Sequence, residues 1–303
     1  MKQNIDEIVE GIIETKLDEK AKASAKRIED KISKTFIDKF SNELKSFKKI
    51  KITINEKEME DSGGLHHHMF DEILKYIAAD ISIILVGPAG SGKTQVAVQC
   101  AELLGKTHYS ISVNEHTSKT DFLGYMDAEG KIVKTNFRNA FENGGVFIID
   151  EIDAANPNIL TIINSALSNG FCPFPDGMIQ RHKDFLCICT ANTFGEGESV
   201  HYIGRNALDA ATRDRFATIF VSYDETIEKT LNDINVYNLG VELRNYFAMN
   251  NIDFVVSTRG MLRLSSLMRI EDYTLKIKDI KNCLNLHTVS NSAVDNIVNK
   301  YGN

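Results

Sequence analysis

The hydrophobic positions change their spacing twice along the chain. Ile28, Ile32, Phe36, Phe40, Leu44 and Phe47 stand three or four apart, a single apolar stripe at helical period. Residues 1–60 hold one glycine and no proline among many charges, so the pattern predicts a charged helical segment over 1–62. Two readings of that segment stand side by side: helices packed on one another or on their own domain, and an arm for a partner protein. Asp61-Ser-Gly-Gly64 then breaks the composition. Short apolar runs follow at 81–86, 109–113, 146–149, 185–189 and 218–222, with helical patterns between them. Five buried strands separated by helices predict an α/β domain over 63–223, built on a five-stranded parallel sheet with helices on both faces. Past 224 the helical period returns, at 241–247 and 261–270, and predicts a small all-α domain over 224–303.

Composition changes this picture little. With 43% hydrophobic and 25% charged residues the chain reads as an ordinary soluble globular protein. Its net charge of −7 provides no overall basic field, so nucleic acid is not a required partner. No apolar run reaches the roughly 18 residues of a membrane span, and the opening MKQNIDEIVE lacks a secretory apolar core. The five cysteines (Cys100, Cys172, Cys187, Cys189 and Cys283) form no CxxC. Reduced thiols in a cytoplasmic protein fit them best. Cys187 and Cys189 alternate within an apolar run and read as small core residues.

The candidate chemistry sits at the ends of the apolar runs. Ile83-Ile-Leu-Val86 leads into Gly87-Pro88-Ala89-Gly90-Ser91-Gly92-Lys93-Thr94 and then into a helical pattern. This is GxxxxGK[ST] between a strand and a helix, the context in which the pattern is specific. Glycines at 87, 90 and 92 let backbone N–H groups face phosphate oxygens, and the helix adds the positive end of its dipole. Lys93 is placed to contact β- and γ-phosphates, and Thr94 to ligate Mg²⁺. Val146-Phe-Ile-Ile-Asp-Glu151 is a buried strand ending in two carboxylates. Asp150 suits the Mg²⁺ shell, and Glu151 suits the polarisation of a water. Asp153 reads as structural or as a helix cap. A third apolar strand ends at Asn192, whose amide is suited to holding the attacking water.

In this order, GPAGSGKT, VFIIDEID, TAN at 190–192, YIGRNALDAATRDRF at 202–216 and STRGMLRL at 257–264 resemble the AAA+ ATPases. Within them the chain is most similar to the MoxR-like, dynein-related group with its CbbQ/NirQ and CobS relatives, over roughly residues 65–270. Two predicted hairpins, at 123–134 around Glu129-Gly130 and at 171–181 around Asp176-Gly177, look like the insertions of that clade. The resemblance implies a P-loop AAA+ core with an all-α lid, ATP and Mg²⁺ as ligands, and a homo-oligomeric, hexameric ring. It further implies that an arginine before the fifth strand enters the neighbour's site: Arg215 matches that finger, with Arg213 its rival. Arg259 matches the family's second sensor, with Arg263 as the alternative. For both pairs the bland reading is a surface ion pair, to Asp209, Asp214 or Glu196 in the case of the first.

Other features carry less. His66-His-His68 could suggest a metal, but consecutive helical residues cannot all face one ion, and contact with adenine or a capping role fits better. Ser118-Lys-Thr-Asp121 resembles a guanine-reading motif yet follows the second strand, so ATP is expected over GTP. Lys119, Phe122 and Tyr125 fit either a substrate-gripping pore or, for the two aromatics, core packing. The function expected is a ring ATPase that remodels a partner protein, of the kind that works with a von Willebrand factor A-domain protein. The rivals are a cobalt-chelatase-like motor subunit, an McrB-like NTPase acting with a nuclease on DNA, and a scaffold that binds ATP without hydrolysis.

Overall fold

A computed structural model describes residues 51–54, 57–60, 64–195, 197, 204–271, 273–289 and 292–302. The helical stripe at 28–47 lies outside the described residues. Contacts divide the chain into two units, Met1–Leu65 and His66–Asn303. In the first, β1 (Lys51–Ile54) and β2 (Lys57–Glu60) form an antiparallel hairpin. Within the segment expected to be helical, residues 51–54 and 57–60 are therefore strand. The alternation in Lys51-Ile-Thr-Ile54 has period two, and β-branched side chains favour the extended chain.

The second unit opens with α1 (Phe70–Ala78) and continues as β3 (Ile83–Val86), α2 (Lys93–Leu103) and β4 (His108–Ser112). A short α3 (Lys119–Leu123) precedes the hairpin of β5 (Tyr125–Met126) and β6 (Ile132–Val133). After α4 (Asn136–Asn143), β7 (Gly145–Asp150) and α5 (Pro157–Asn169) comes a second hairpin, β8 (Phe171–Phe174) with β9 (Gly177–Gln180). Next are β10 (Phe185–Ala191), α6 (Ala210–Arg213) and β11 (Ala217–Phe220). The rest is helical: α7 (Glu225–Leu231), α8 (Ile234–Met249), α9 (Thr258–Leu267), α10 (Ile277–Leu284) and α11 (Ser292–Tyr301).

Five strands pair in parallel in the order β11-β3-β10-β7-β4. The three inner strands are buried almost throughout, as continuous apolar runs require. The two outer strands are not: β4 alternates between exposed and half-buried, and only Ile219 of β11 is buried. The expectation of five buried strands is corrected to three, because an edge strand is covered on fewer sides. The chain leaves β3 for β4, three places away at the far edge, and comes back through β7 to β10, which lies between β3 and β7. The carboxyl ends of these three strands converge on one crevice, where open α/β sheets bind ligands.

On one face of the sheet, Phe122, Phe137, Phe141, Phe147, Phe174 and Phe185 form a continuous aromatic core. Phe122 is wholly buried there, so the pore reading of that residue gives way to core packing. Tyr125 is exposed on its hairpin. The β8–β9 turn is pinned by Arg138, which donates to both oxygens of Asp176 at 2.6 and 3.2 Å and to Glu142 at 3.0 Å. Its guanidinium also lies 4.4 Å from the centre of the Phe174 ring. Cys187 and Cys189 are buried with their sulfurs 3.9 Å apart and unbridged. The helices after Asp224 enclose a separate apolar cluster that includes Leu239, Leu243, Met261, Leu264 and Val298. No described helix is long and apolar enough to cross a membrane.

Candidate nucleotide site

The loop from Gly87 to Gly92 is shaped by what surrounds it. A Cβ on Gly87 would collide with the Val221 carbonyl oxygen, so only glycine lets the loop leave β3 beside β11. Gly92 caps α2 in the left-handed conformation (φ 91°), a turn that costs other residues energy. Lys93 follows as the first helical residue and is 7% exposed. Its ammonium donates to the carbonyls of Gly87 at 2.8 Å and Pro88 at 2.9 Å, and to Asn192 Oδ1 at 3.0 Å. Burial lowers its pKa to about 8, against the pull of Asp150, Asp153 and Glu151 in the other direction.

Asp150 ends β7 and accepts from Thr94 Oγ1 at 2.9 Å and from the Thr190 hydroxyl. A hydroxyl and a carboxylate side by side form the hard oxygen set that suits Mg²⁺. The Ser91 hydroxyl is buried and has no hydrogen-bond partner among the described residues, as expected of a group that faces a phosphate. The residues present thus fit both a triphosphate and its metal. Glu151 turns the chain out of the strand in the left-handed region (φ 63°, ψ 44°), with its N–H donating to Thr190 Oγ1 at 3.1 Å. Such a conformation costs a non-glycine residue on the order of 1 kcal/mol and is found preferentially at functional sites. The Glu151 side chain is 45% exposed at the mouth of the crevice.

Asp153 is fully buried and acts as a hub. Its Oδ2 accepts from the N–H groups of Asn192 and Thr193 and from the Thr193 hydroxyl, each at 3.0 Å. This is the structural role read from the sequence, made by holding the end of β10 rather than by capping a helix. Arg205 binds the other oxygen of Asp153 at 3.1 Å and Glu151 Oε2 at 3.3 Å. Arg205 lies within the motif at 202–216, where its sequence position assigns it no role. No spacing rule links it to Glu151, and only the fold brings them together.

The remaining arginines separate. Arg215 precedes β11, whose Ala217 pairs with Ile83 at the start of β3 and whose Phe220 pairs with Val86 at its end. About 10 Å of strand therefore lies between Arg215 and the loop that follows Val86. Arg215 donates to Ser168 Oγ at 2.8 Å and to the Ala211 carbonyl. It pairs with no carboxylate among the described residues; Asp209 is occupied in capping α6 through the Thr212 N–H at 2.6 Å, and Glu196 lies outside the described residues. Arg213, the last residue of α6, is exposed. Arg259 lies in the first turn of α9, against the loop: a Cβ on Gly90 would stand 3.5 Å from its N atom and 3.2 Å from Ser257 Cβ. Arg263 is drawn off to the Cys283 carbonyl at 2.7 Å.

A polar relay joins the loop to the helices beyond it. Tyr223 donates to the Ala89 carbonyl at 3.0 Å, and the Arg244 guanidinium lies 3.7 Å from the centre of the Tyr223 ring. Arg244 pairs with buried Glu228 at 2.6 and 2.8 Å, and Glu228 accepts from Thr258, the neighbour of Arg259. The histidines also meet this region, but in a coil before α1 rather than in a helix. His67 Nδ1 accepts from the Met69 N–H at 3.1 Å, which leaves Nε2 to donate to the Ser222 carbonyl at 3.0 Å. His68 Nδ1 lies 3.1 Å from Asp224 Oδ2. The ligand atoms of His67, His68 and Asp224 are within 4.8 Å of one another, yet His67 has no lone pair left for an ion. Ser118 and Asp121 form a capping box on α3, which accounts for the stretch that resembled a guanine-reading motif.

Residues 82–216 match the AAA domain, dynein-related subfamily. Over 135 residues the chain is 31% identical to the ATP-dependent Clp protease ATP-binding subunit ClpL of Staphylococcus aureus, covering 40% of this chain and 19% of that protein. It is 30% identical over 159 residues to midasin of Dictyostelium discoideum, covering 50% of this chain and 3% of midasin. The chain thus spans less than a fifth of the length of these relatives. Among solved structures, NtrX from Brucella abortus superposes with a TM-score of 0.49 at 14% identity, over 70% of this chain and 52% of that one. The likeness to the dynein-related subfamily of AAA domains is carried by residues 82–216.

Proposed function

We propose that this chain binds ATP with Mg²⁺ and hydrolyses it to ADP and phosphate within a homo-oligomeric ring, using the cycle to remodel a partner protein. The observation that carries the reading is the convergence of Lys93, the Thr94–Asp150 pair, Glu151 and Asn192 at the carboxyl ends of three adjacent strands. The loop 87–92 and the first turn of α2 bind the phosphates through backbone N–H groups and Lys93. Mg²⁺, held by Thr94 and Asp150, supplies neutralisation of phosphate charge. Glu151 accepts the proton of the attacking water, and Asn192 orients that water. Arg259, already against the loop, senses the γ-phosphate from the helical domain. The cation for the opposite side of the triphosphate comes from a neighbour's Arg215, since a subunit's own Arg215 stands at the wrong end of β11. A hexameric, MoxR-like assembly acting on a von Willebrand factor A-domain protein is the finer form of this reading.

The test is phosphate release from ATP and from GTP by the purified chain, with Mg²⁺ and with a chelator. Magnesium-dependent ATP turnover is expected; no ATP turnover at any protein concentration overturns the reading. The state of Lys93 adds a pH dependence. Phosphate favours the ammonium, so binding takes up a proton wherever the free chain has lost it. The contribution of Lys93 is complete below about pH 8 and fades as the pH rises through its pKa. ATP affinity should therefore weaken above pH 8, with proton uptake visible by calorimetry in buffers of different ionisation enthalpy. Affinity constant from pH 7 to 9.5 would remove Lys93 from phosphate binding.

A further inference from the structure

We propose that Arg205 is the positioning residue for Glu151, a role that rests on the hydrolytic reading above. The Arg205 side chain is 12% exposed and bridges two carboxylates of unequal freedom. At one end, Nη1 binds Asp153, which is fully buried. Three donors from Asn192 and Thr193 fix that carboxylate, and its backbone carbonyl accepts from the Asn206 N–H at 2.6 Å. At the other end, Nη2 binds Glu151, which is 45% exposed and stands on a left-handed turn. The immobile end anchors the guanidinium, and the planar fork transmits that position to the mobile end. A lone exposed glutamate samples several rotamers; one tied to a buried anchor does not.

The geometry also leaves Glu151 competent. Arg205 occupies Oε2, and Oε1 has no hydrogen bond among the described residues. One oxygen is thus held while the other remains an acceptor for water. The same anchor, Asp153, holds the Asn192 backbone. The two groups that would face the attacking water are therefore referred to one rigid point, and their separation is set by Asp153 and Arg205 together. Neutralising a buried Asp153 requires only Nη1; the second contact, to the exposed carboxylate, is what positioning adds.

The experiment compares Arg205→Met and Arg205→Lys with the native chain in steady-state ATP hydrolysis, equilibrium binding of a fluorescent ATP analogue, and thermal melting. Misplacing a catalytic group by about 1 Å costs on the order of a hundredfold in rate. Arg205→Met should lower kcat about ten- to a hundredfold, with KM and nucleotide affinity within about twofold of native. Arg205→Lys, which reaches one carboxylate at a time, should fall between. Native or raised kcat in Arg205→Met overturns the proposal, as does a kcat loss matched by lost nucleotide affinity. Should Arg205→Met fail to fold, Arg205→Lys decides: lowered kcat at unchanged affinity supports the role, and native kcat overturns it. A native chain that binds ATP without hydrolysing it overturns the underlying reading, whereas a hydrolysing chain indifferent to Arg205 overturns this role alone.

Discussion

Glu151→Gln should bind ATP as tightly as the native chain and turn it over about 10²- to 10⁴-fold more slowly, the usual worth of a positioned general base. The substitution keeps the shape of the side chain and an oxygen that can accept from Arg205, so the crevice should stay intact. It removes the group able to take a proton from water. The phosphate contacts depend on Lys93, on the backbone of the loop and on the Thr94–Asp150 pair, and none of these touches the Glu151 carboxylate. Binding and turnover therefore separate cleanly in this variant. The measurement is nucleotide affinity beside phosphate release; undiminished release would remove Glu151 from the role of base.

The second large effect concerns assembly. Arg215→Ala should cost about 10³-fold in turnover, the scale of a missing arginine finger, without loss of nucleotide binding. The register of β11 on β3 underlies this, because it sets Arg215 at the opposite end of the strand from the loop. Its present partners are Ser168 and the Ala211 carbonyl, and it forms no ion pair among the described residues. Mixing provides the decisive measurement. Arg215→Ala subunits retain a complete phosphate site, and Lys93→Ala subunits retain the finger. Mixed rings should recover activity at interfaces where the two complement each other. Failure to recover at every ratio would place Arg215 outside the neighbour's site. In the same vein, activity per chain should fall steeply on dilution below the assembly concentration.

The relay from Ala89 through Tyr223, Arg244 and Glu228 to Thr258 gives the loop a mechanical connection to the helical domain. A charged pair as buried as Arg244–Glu228 is stabilised by its hydrogen bonds more than by its charge, and removing either partner strands the other. The loop and the first turn of α9 are thereby kept in fixed register, with Arg259 beside Gly90.

Much of the site was legible in the linear chain because its pieces are local. GPAGSGKT needs only the strand before it and the helix after it, and the run Val146–Ile149 with Asp150 and Glu151 needs only its own burial. The five strands, the two hairpins and the ends of the inner strands carry signals of period and turn chemistry that act over a few residues. The AAA domain match covers 82–216, a shorter stretch than the 65–270 expected from the motifs. Several points were decided only by tertiary structure. Strand order placed Asn192 between the loop and the carboxylates, and the register of one edge strand set Arg215 away from its own loop. Phe122 went into the core because Phe137 of α4 and Phe147 of β7 pack against its ring. Arg205 reached Glu151 and Asp153 across more than fifty residues of chain. The physical reason is common to all of these: a local pattern expresses backbone preference and burial, both of which act between near neighbours. A contact between distant residues depends on where whole elements pack, and that is decided by the summed burial of the sheet and its aromatic core.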